Sequence, residues 1–451
     1  MRALLRRFAD AKSVDGRIAR AAVISGGLSA GVKAAAFVKE VLVAAVFGVS
    51  GQIDAYLIAL MLVGIPHGIV VNAFQWTLIP EFVRAHRSHG RVGASALLRQ
   101  TIGLSLLALG VFLVIWSALL PWLVSHLTKG GGPAAVDTVR NCLVLLTVYY
   151  FASGALLMGY GVLQAEKRFV INGAVPIATP LIVALLILAA PEPAAEILAI
   201  GLAAGFVAEL AIVESILRKS GLTLKPAHPF RGPVGGAFAK TVGKLAVGAA
   251  VMALVPLIEQ AAAAELGVGA ISTLGYASKL PALVSSLAAL AIGVAIFPYF
   301  AEMLAGGQGE QCRRTLHRYS LVIGVGGAGV AGVLIAASEP LVRLLYARGA
   351  FTESAVSAVA LAQQGYLVQI PAALVFALSS RLLLAQGRSG AMVALGGAQL
   401  LTFGLAVITG LQLADVPALI ALCYSLAVTV TATASFVVAS RAVAAAPGRL
   451  S

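Results

Sequence analysis

A chain of 451 residues with only 11% charged and 60% hydrophobic residues cannot clothe a water-facing surface, where roughly a quarter of residues carry charge. Its mean hydropathy of +0.97 fits a polytopic membrane protein. The net charge of +14 does not indicate nucleic acid: the basic residues sit in short clusters between apolar runs, as the positive-inside rule produces.

The N-terminus carries Arg2, Arg6, Arg7, Lys12, Arg17 and Arg20 before its first apolar stretch. That stretch, 21–47, is too long for a signal-peptide core and reads as a retained transmembrane helix. At 1.5 Å rise per residue a span needs roughly twenty apolar residues. The remaining candidates are 54–80, 101–124, 141–163, 170–190, 195–217, 245–264, 270–299, 319–338, 355–384, 391–411 and 416–440, about twelve spans in all. Of these, 54–80 and 355–384 are expected to be tilted or broken.

Charge orients the chain. With a cytoplasmic N-terminus, the even connections carry Arg84, Arg87, Arg91 and Arg99, then Lys167 and Arg168, then the basic stretch Arg218 to Lys244. Arg313, Arg314, Arg318 and Arg388 follow, with Arg441 and Arg449 in the tail. The other side holds only Lys129, Arg140, Arg343 and Arg348, with acidic Glu192 and Asp415. Both termini are therefore expected in the cytoplasm.

The Pro- and Gly-rich stretch near the middle reads as a linker at 223–244, between a six-helix lobe at 1–222 and another at 245–451. A repeat supports this. Glu40 is followed by Gly48, Tyr56 and Ile79-Pro80-Glu81-Phe82; Glu259 is followed by Gly267, Tyr276 and Phe297-Pro298-Tyr299-Phe300 at nearly the same separations. An even number of spans per half predicts two parallel lobes around a central cavity, in an all-α fold.

Ionisable residues deep in spans are costly and hence functional candidates. They are Lys33, Lys39 and Glu40 in the first span, Asp54 near the outer end of the second, Glu209 and Glu214 in the sixth, Glu259 in the seventh, Lys279 in the eighth and Arg381 in the tenth. Lys33 lies roughly 20 Å beyond Arg20 along the helix, too far for its side chain to snorkel. Pro281 is expected to loosen the helix around Lys279. One reading pairs these charges off, Lys39 with Asp54 or a neighbour in its own lobe, and Lys279 with Glu259. The other reads the lysines as a cationic cavity suited to phosphate or another anion. For Glu209 and Glu214 a structural role is the simpler reading. The six histidines and the cysteines Cys142, Cys312 and Cys423 show no metal spacing, and no phosphate loop or nucleophile motif occurs. Neither an enzyme, a metal nor a cofactor is expected.

At these residues the chain resembles the MurJ/MviN family of lipid-linked saccharide flippases, within the multidrug/oligosaccharidyl-lipid/polysaccharide exporter superfamily. Four segments carry the resemblance: FVKEVLVAAVFGVSGQIDAY; LIPEF; GAISTLGYASKLP with IFPYF; and LYARGAFTESAV leading to SSRLLLAQGRSG. It implies two six-helix lobes whose cavity opens alternately to each side, moving a polyprenyl-diphosphate-linked sugar outward across the bacterial inner membrane. Lys33, Lys39 and Lys279 match the family's cavity-facing basic positions. Asp54 and Glu259 match acidic positions and, with Glu40, are candidates for coupling or pairing; Arg381 is a candidate cytoplasmic gate. Several members have arginine where this chain has Lys33 and Lys39, and Ala282 stands where an acidic residue often follows the eighth-span cation. The best-known members also carry two helices beyond the twelve counted here. Envelope polysaccharide assembly proteins are candidate partners. The alternatives are a cation-coupled drug or metabolite exporter on the same fold, and a non-transporting scaffold.

Overall fold

A computed structural model describes residues 14–444, and among them no β-strand occurs. Arg2, Arg6, Arg7, Lys12 and Arg449, on which the orientation of the termini partly rests, lie outside the described residues. Fifteen helices are described: α1 Val14–Phe47, α2 Gly51–Leu127, α3 Gly132–Ala165, α4 Phe169–Ala174, α5 Ala178–Ala189, α6 Glu196–Arg218, α7 Gly236–Glu265, α8 Ala270–Ala277, α9 Lys279–Ala305, α10 Gly309–Ala336, α11 Ser338–Tyr346, α12 Glu353–Leu367, α13 Ile370–Ala385, α14 Ser389–Gly410 and α15 Pro417–Ala444. Every predicted span falls in this series. Nine of the described helical stretches are long and apolar enough to cross a membrane, and α2 alone covers two of the twelve predicted spans.

The breaks have local causes. Pro371 cannot donate to the Leu367 carbonyl, and the predicted span 355–384 is interrupted between α12 and α13. Pro281 likewise offers nothing to Ala277, where α8 gives way to α9. The predicted span 54–80 stays helical through Pro66. The helix then continues through the basic stretch 81–89, rich in helix-tolerant residues, until Gly90 breaks the path at φ +63° and ψ −162°. A stretch read as a connection by hydropathy is thus mostly helix. Around Pro176 a 3₁₀ turn, Val175–Ile177, splits the predicted span 170–190.

The chain divides into two units, Met1–Val43 with Ile58–Ser125 and Pro133–Ala250, and Ala44–Leu57 with His126–Gly132 and Val251–Ser451. In the first unit Leu98, Ile102 and Leu109 of α2 pack with Leu156 and Val162 of α3 and Val213 of α6. Tyr150 satisfies its hydroxyl on the Leu109 carbonyl at 3.0 Å. In the second unit Leu367, Leu374, Leu378 and Leu382 pack with Leu316 of α10, Phe300 of α9 and Ala439 of α15. Exposed Val114, Ile115, Leu188, Val333 and Leu405 leave apolar faces that suit lipid.

The stretch after α6 is extended but fastened within the first unit. The Ala227 amide donates to the Arg99 carbonyl at 2.9 Å, and Gln100 bonds the Pro229 carbonyl at 2.9 Å and the Val234 amide at 2.7 Å. Glu214 closes its near end, accepting from Thr223 Oγ1 at 2.7 Å, the Leu224 amide at 2.6 Å and Arg218 Nε at 2.6 Å. Its role is structural.

Candidate functional site

In the first unit Lys33 is half-buried on α1. Six residues on, Lys39 Nζ lies 2.5 Å from Glu40 Oε1, with both side chains 20% exposed. Consecutive helical positions point about 100° apart, but two long side chains bridge that angle. Lys39 is thus tied to its neighbour along the helix.

In the second unit Asp54 occupies the first turn of α2 and is 7% exposed. Its two oxygens accept from the Gly269 amide at 2.5 Å and the Ser272 amide at 2.7 Å. These amides open α8, where N–H groups have no intrahelical acceptor and the helix dipole favours negative charge. Asp54 therefore acts as a cap supplied from 215 residues away. Within its own unit Lys39 pairs with Glu40, and within its own unit Asp54 takes the two amides.

The Asp54 contact belongs to a larger knot. Tyr276, on α8, donates to the Gly48 carbonyl at 3.1 Å and stacks among Tyr346 and Phe351 with ring centroids 5.4 and 5.6 Å away. The Ala350 amide donates to the Ala45 carbonyl at 2.8 Å. Gly349 has φ +60°, and a Cβ there would sit 2.1 Å from the Ala45 oxygen. Three segments that carried the family resemblance, around Gly48 to Tyr56, Gly269 to Tyr276 and Tyr346 to Phe351, thus meet in one unit.

Glu259, on α7, accepts a very short hydrogen bond from the Tyr366 hydroxyl of α12. Tyr366 stacks edge-on against Tyr424 of α15 at 5.8 Å, and Tyr424 against Phe403 of α14 at 5.6 Å. The carboxylate thus joins α7 to α12, and the ring contacts carry the packing on to α15 and α14. Lys279 is half-buried at the first position of α9, just past the break after α8. Arg381 is exposed on α13. Asp54, Glu259, Lys279 and Arg381 belong to the second unit, and Lys33, Lys39 and Glu40 to the first.

Glu209 is 2% exposed in the first unit. It accepts from Tyr160 at 2.7 Å, from Thr179 Oγ1 at 2.5 Å and from the Thr179 amide at 3.2 Å. Thr179 lies just past the 3₁₀ turn, so the carboxylate secures the restart of α5. Neither Tyr160 nor Tyr366 was singled out by sequence reasoning. Both are remote in sequence from their carboxylates, and a tyrosine in an apolar run carries no signal of its own. Among the described residues no group of three or more His, Cys, Asp or Glu side chains is placed to hold a metal ion.

Comparison with known proteins places this geometry. The model of the family described as "Lipid II flippase MurJ" matches residues 43–450. The "Probable lipid II flippase MurJ" of Rhizobium meliloti is 25% identical over 344 residues, covering 72% of this chain and 63% of that protein. The "Lipid II flippase MurJ" of Burkholderia cenocepacia is 25% identical over 341 residues, covering 73% and 66%. The chain thus spans just under two thirds of the length of these curated relatives. A solved "Lipid II flippase MurJ, inward closed conformation" superposes with a TM-score of 0.72 at 16% identity, covering 94% of this chain and 91% of that one. An inward-facing "multidrug resistance MATE family transporter of the MOP superfamily" superposes at 0.71 and 11% identity, covering 94% and 98%. At these identities the superpositions bear on fold alone.

Proposed function

The chain belongs to the lipid II flippase MurJ family, and on that premise we propose that it moves a polyprenyl-diphosphate-linked saccharide across the bacterial inner membrane by alternating access. The substrate is lipid II or an exopolysaccharide precursor. The observation that carries this reading is the family match over residues 43–450.

Lys33, Lys39 and Lys279 supply positive charge for the diphosphate. An ammonium is a compact charge on a flexible stem, able to follow a moving anion without fixed bidentate geometry. The tail stays in lipid and no covalent bond is made or broken, so the protein's work is to lower the cost of carrying charge through the apolar layer. Glu40 holds Lys39 in reach, and Asp54 anchors α8 next to the helix that begins with Lys279. Glu259 with Tyr366 is the coupling candidate, because its carboxylate joins α7 to α12. Arg381 serves as the cytoplasmic gate, and both termini face the cytoplasm. The halves on either side of the extended stretch after Arg218 act as the two rocking lobes. Cell-envelope polysaccharide assembly proteins are its expected partners.

The competing reading is a cation-coupled exporter, since the fold superposes on the MATE transporter nearly as well. Positive charge at Lys33, Lys39 and Lys279 within the predicted spans favours an anionic cargo. Expression in a strain depleted of its lipid II flippase tests the proposal: rescue supports lipid II. Failure at good expression, with export of an exopolysaccharide precursor intact, directs the same mechanism to that cargo. Protection against cationic dyes that is lost in Glu259→Gln would overturn the flippase reading.

A further inference from the structure

Pro80 closes the first apolar run of α2, and the basic helical turns beyond it meet the turn between α3 and α4 within the first unit. A groove of about 440 Å³ lies between them. Its polar wall carries Arg87 and Arg91 from α2 and Lys167 and Arg168 from the turn, against one carboxylate, Glu166. His86 stands beside them, its ring 6.4 Å from that of Phe82 and nearly parallel to it. Phe82, Val83 and Ala165 supply an apolar wall.

Glu166 does not neutralise this set. It takes Arg91 Nη2 at 3.0 Å and stands 3.7 Å from Arg168 Nε. Arg168 Nη1 is buried and has no hydrogen-bond partner among the described residues. Buried donors are almost always satisfied, so such a nitrogen beside an open groove is one whose acceptor comes from outside the chain. Arg87 and Lys167 are exposed and make no ion pair among the described residues.

The backbone points the same way. Lys167 has φ +61°, the only positive value at a non-glycine among the described residues. It ends α3 in the manner of a glycine cap, with the Arg168 amide bonded to the Leu163 carbonyl at 2.8 Å. A lysine in this conformation is disfavoured unless its side chain is needed there.

We propose that this groove binds the phosphate group of an anionic phospholipid, with the glycerol and upper acyl chain against Phe82 and Val83. Charge-assisted contacts from guanidinium groups suit a phosphate oxygen. The volume is in the range of organic-ligand sites and far beyond a bare inorganic ion. Its place at the end of an apolar helical run puts it at headgroup depth, where basic residues meet anionic lipid.

Thermal unfolding of the full chain in neutral detergent tests this, with phosphatidylglycerol, phosphatidylcholine or inorganic phosphate added. Phosphatidylglycerol should raise the midpoint saturably, and the other two should not. Arg168→Gln and the exposed double variant Arg87→Gln/Lys167→Gln should each weaken the apparent affinity by about tenfold or more. Lys240→Gln, which removes an exposed charge elsewhere in the same unit, should leave it unchanged. Equal stabilisation by phosphatidylcholine or by inorganic phosphate overturns the lipid assignment. So does wild-type affinity in the double variant, or an equal loss in Lys240→Gln.

Discussion

Two buried carboxylates, one in each unit, solve the same physical problem with different partners. Asp54 is satisfied by two backbone amides at the start of α8, and Glu209 by two hydroxyls and one amide around the start of α5. Each secures a helix that restarts after a break, where amides lack intrahelical acceptors. The difference lies in the balance of donors. Asp54 takes two main-chain amides fixed by the fold, with the Ser272 side chain assisting, whereas two of Glu209's three donors are side chains. An acidic residue in a span is therefore not a transport group by default; its donors decide.

The comparison predicts a graded series in unfolding measurements on detergent-solubilised protein. Asp54→Ala strands two buried amides at about 1–3 kcal/mol each, giving a loss of about 2–6 kcal/mol. Asp54→Asn, which keeps one good acceptor, should lose about half as much. A wild-type midpoint for Asp54→Ala would remove the capping role. Glu209→Gln turns an acceptor pair into one acceptor and one donor facing Tyr160 or Thr179, and should cost about 2 kcal/mol. Tyr160→Phe should cost about 1 kcal/mol, and in the double variant with Glu209→Gln the two losses should fail to add. Strict additivity would mean that their 2.7 Å contact does not couple them. At the small end, Glu265→Gln breaks an exposed pair with Lys129 at 2.8 Å and should shift stability by less than about 1 kcal/mol.

Much of the fold was legible in the sequence because the bilayer leaves so few ways to satisfy a backbone. The apolar stretches became helices, and the repeat aligned Gly48 with Gly267. Both glycines take left-handed backbone, φ +58° and +97°, just past the ends of α1 and α7. What hydropathy could not show was helix in polar sequence, as in the continuation of α2 through Arg84 and Arg87. The site was legible only as a roster of charges. Which carboxylates are consumed by capping depended on contacts across more than two hundred residues, such as Asp54 to Gly269. Periodicity within one span holds no information about such contacts. Arg168 and Lys167 were likewise visible as topology signals, not as walls of a groove.

Lys33, Lys39 and Lys279 are proposed to carry the diphosphate. Reconstituted protein given a polyprenyl-diphosphate-linked saccharide, with outer-leaflet appearance followed over time, tests it most directly. Lys33→Gln and Lys279→Gln should each abolish movement while the variants still insert and unfold cooperatively. Full transport by both single variants would contradict the account.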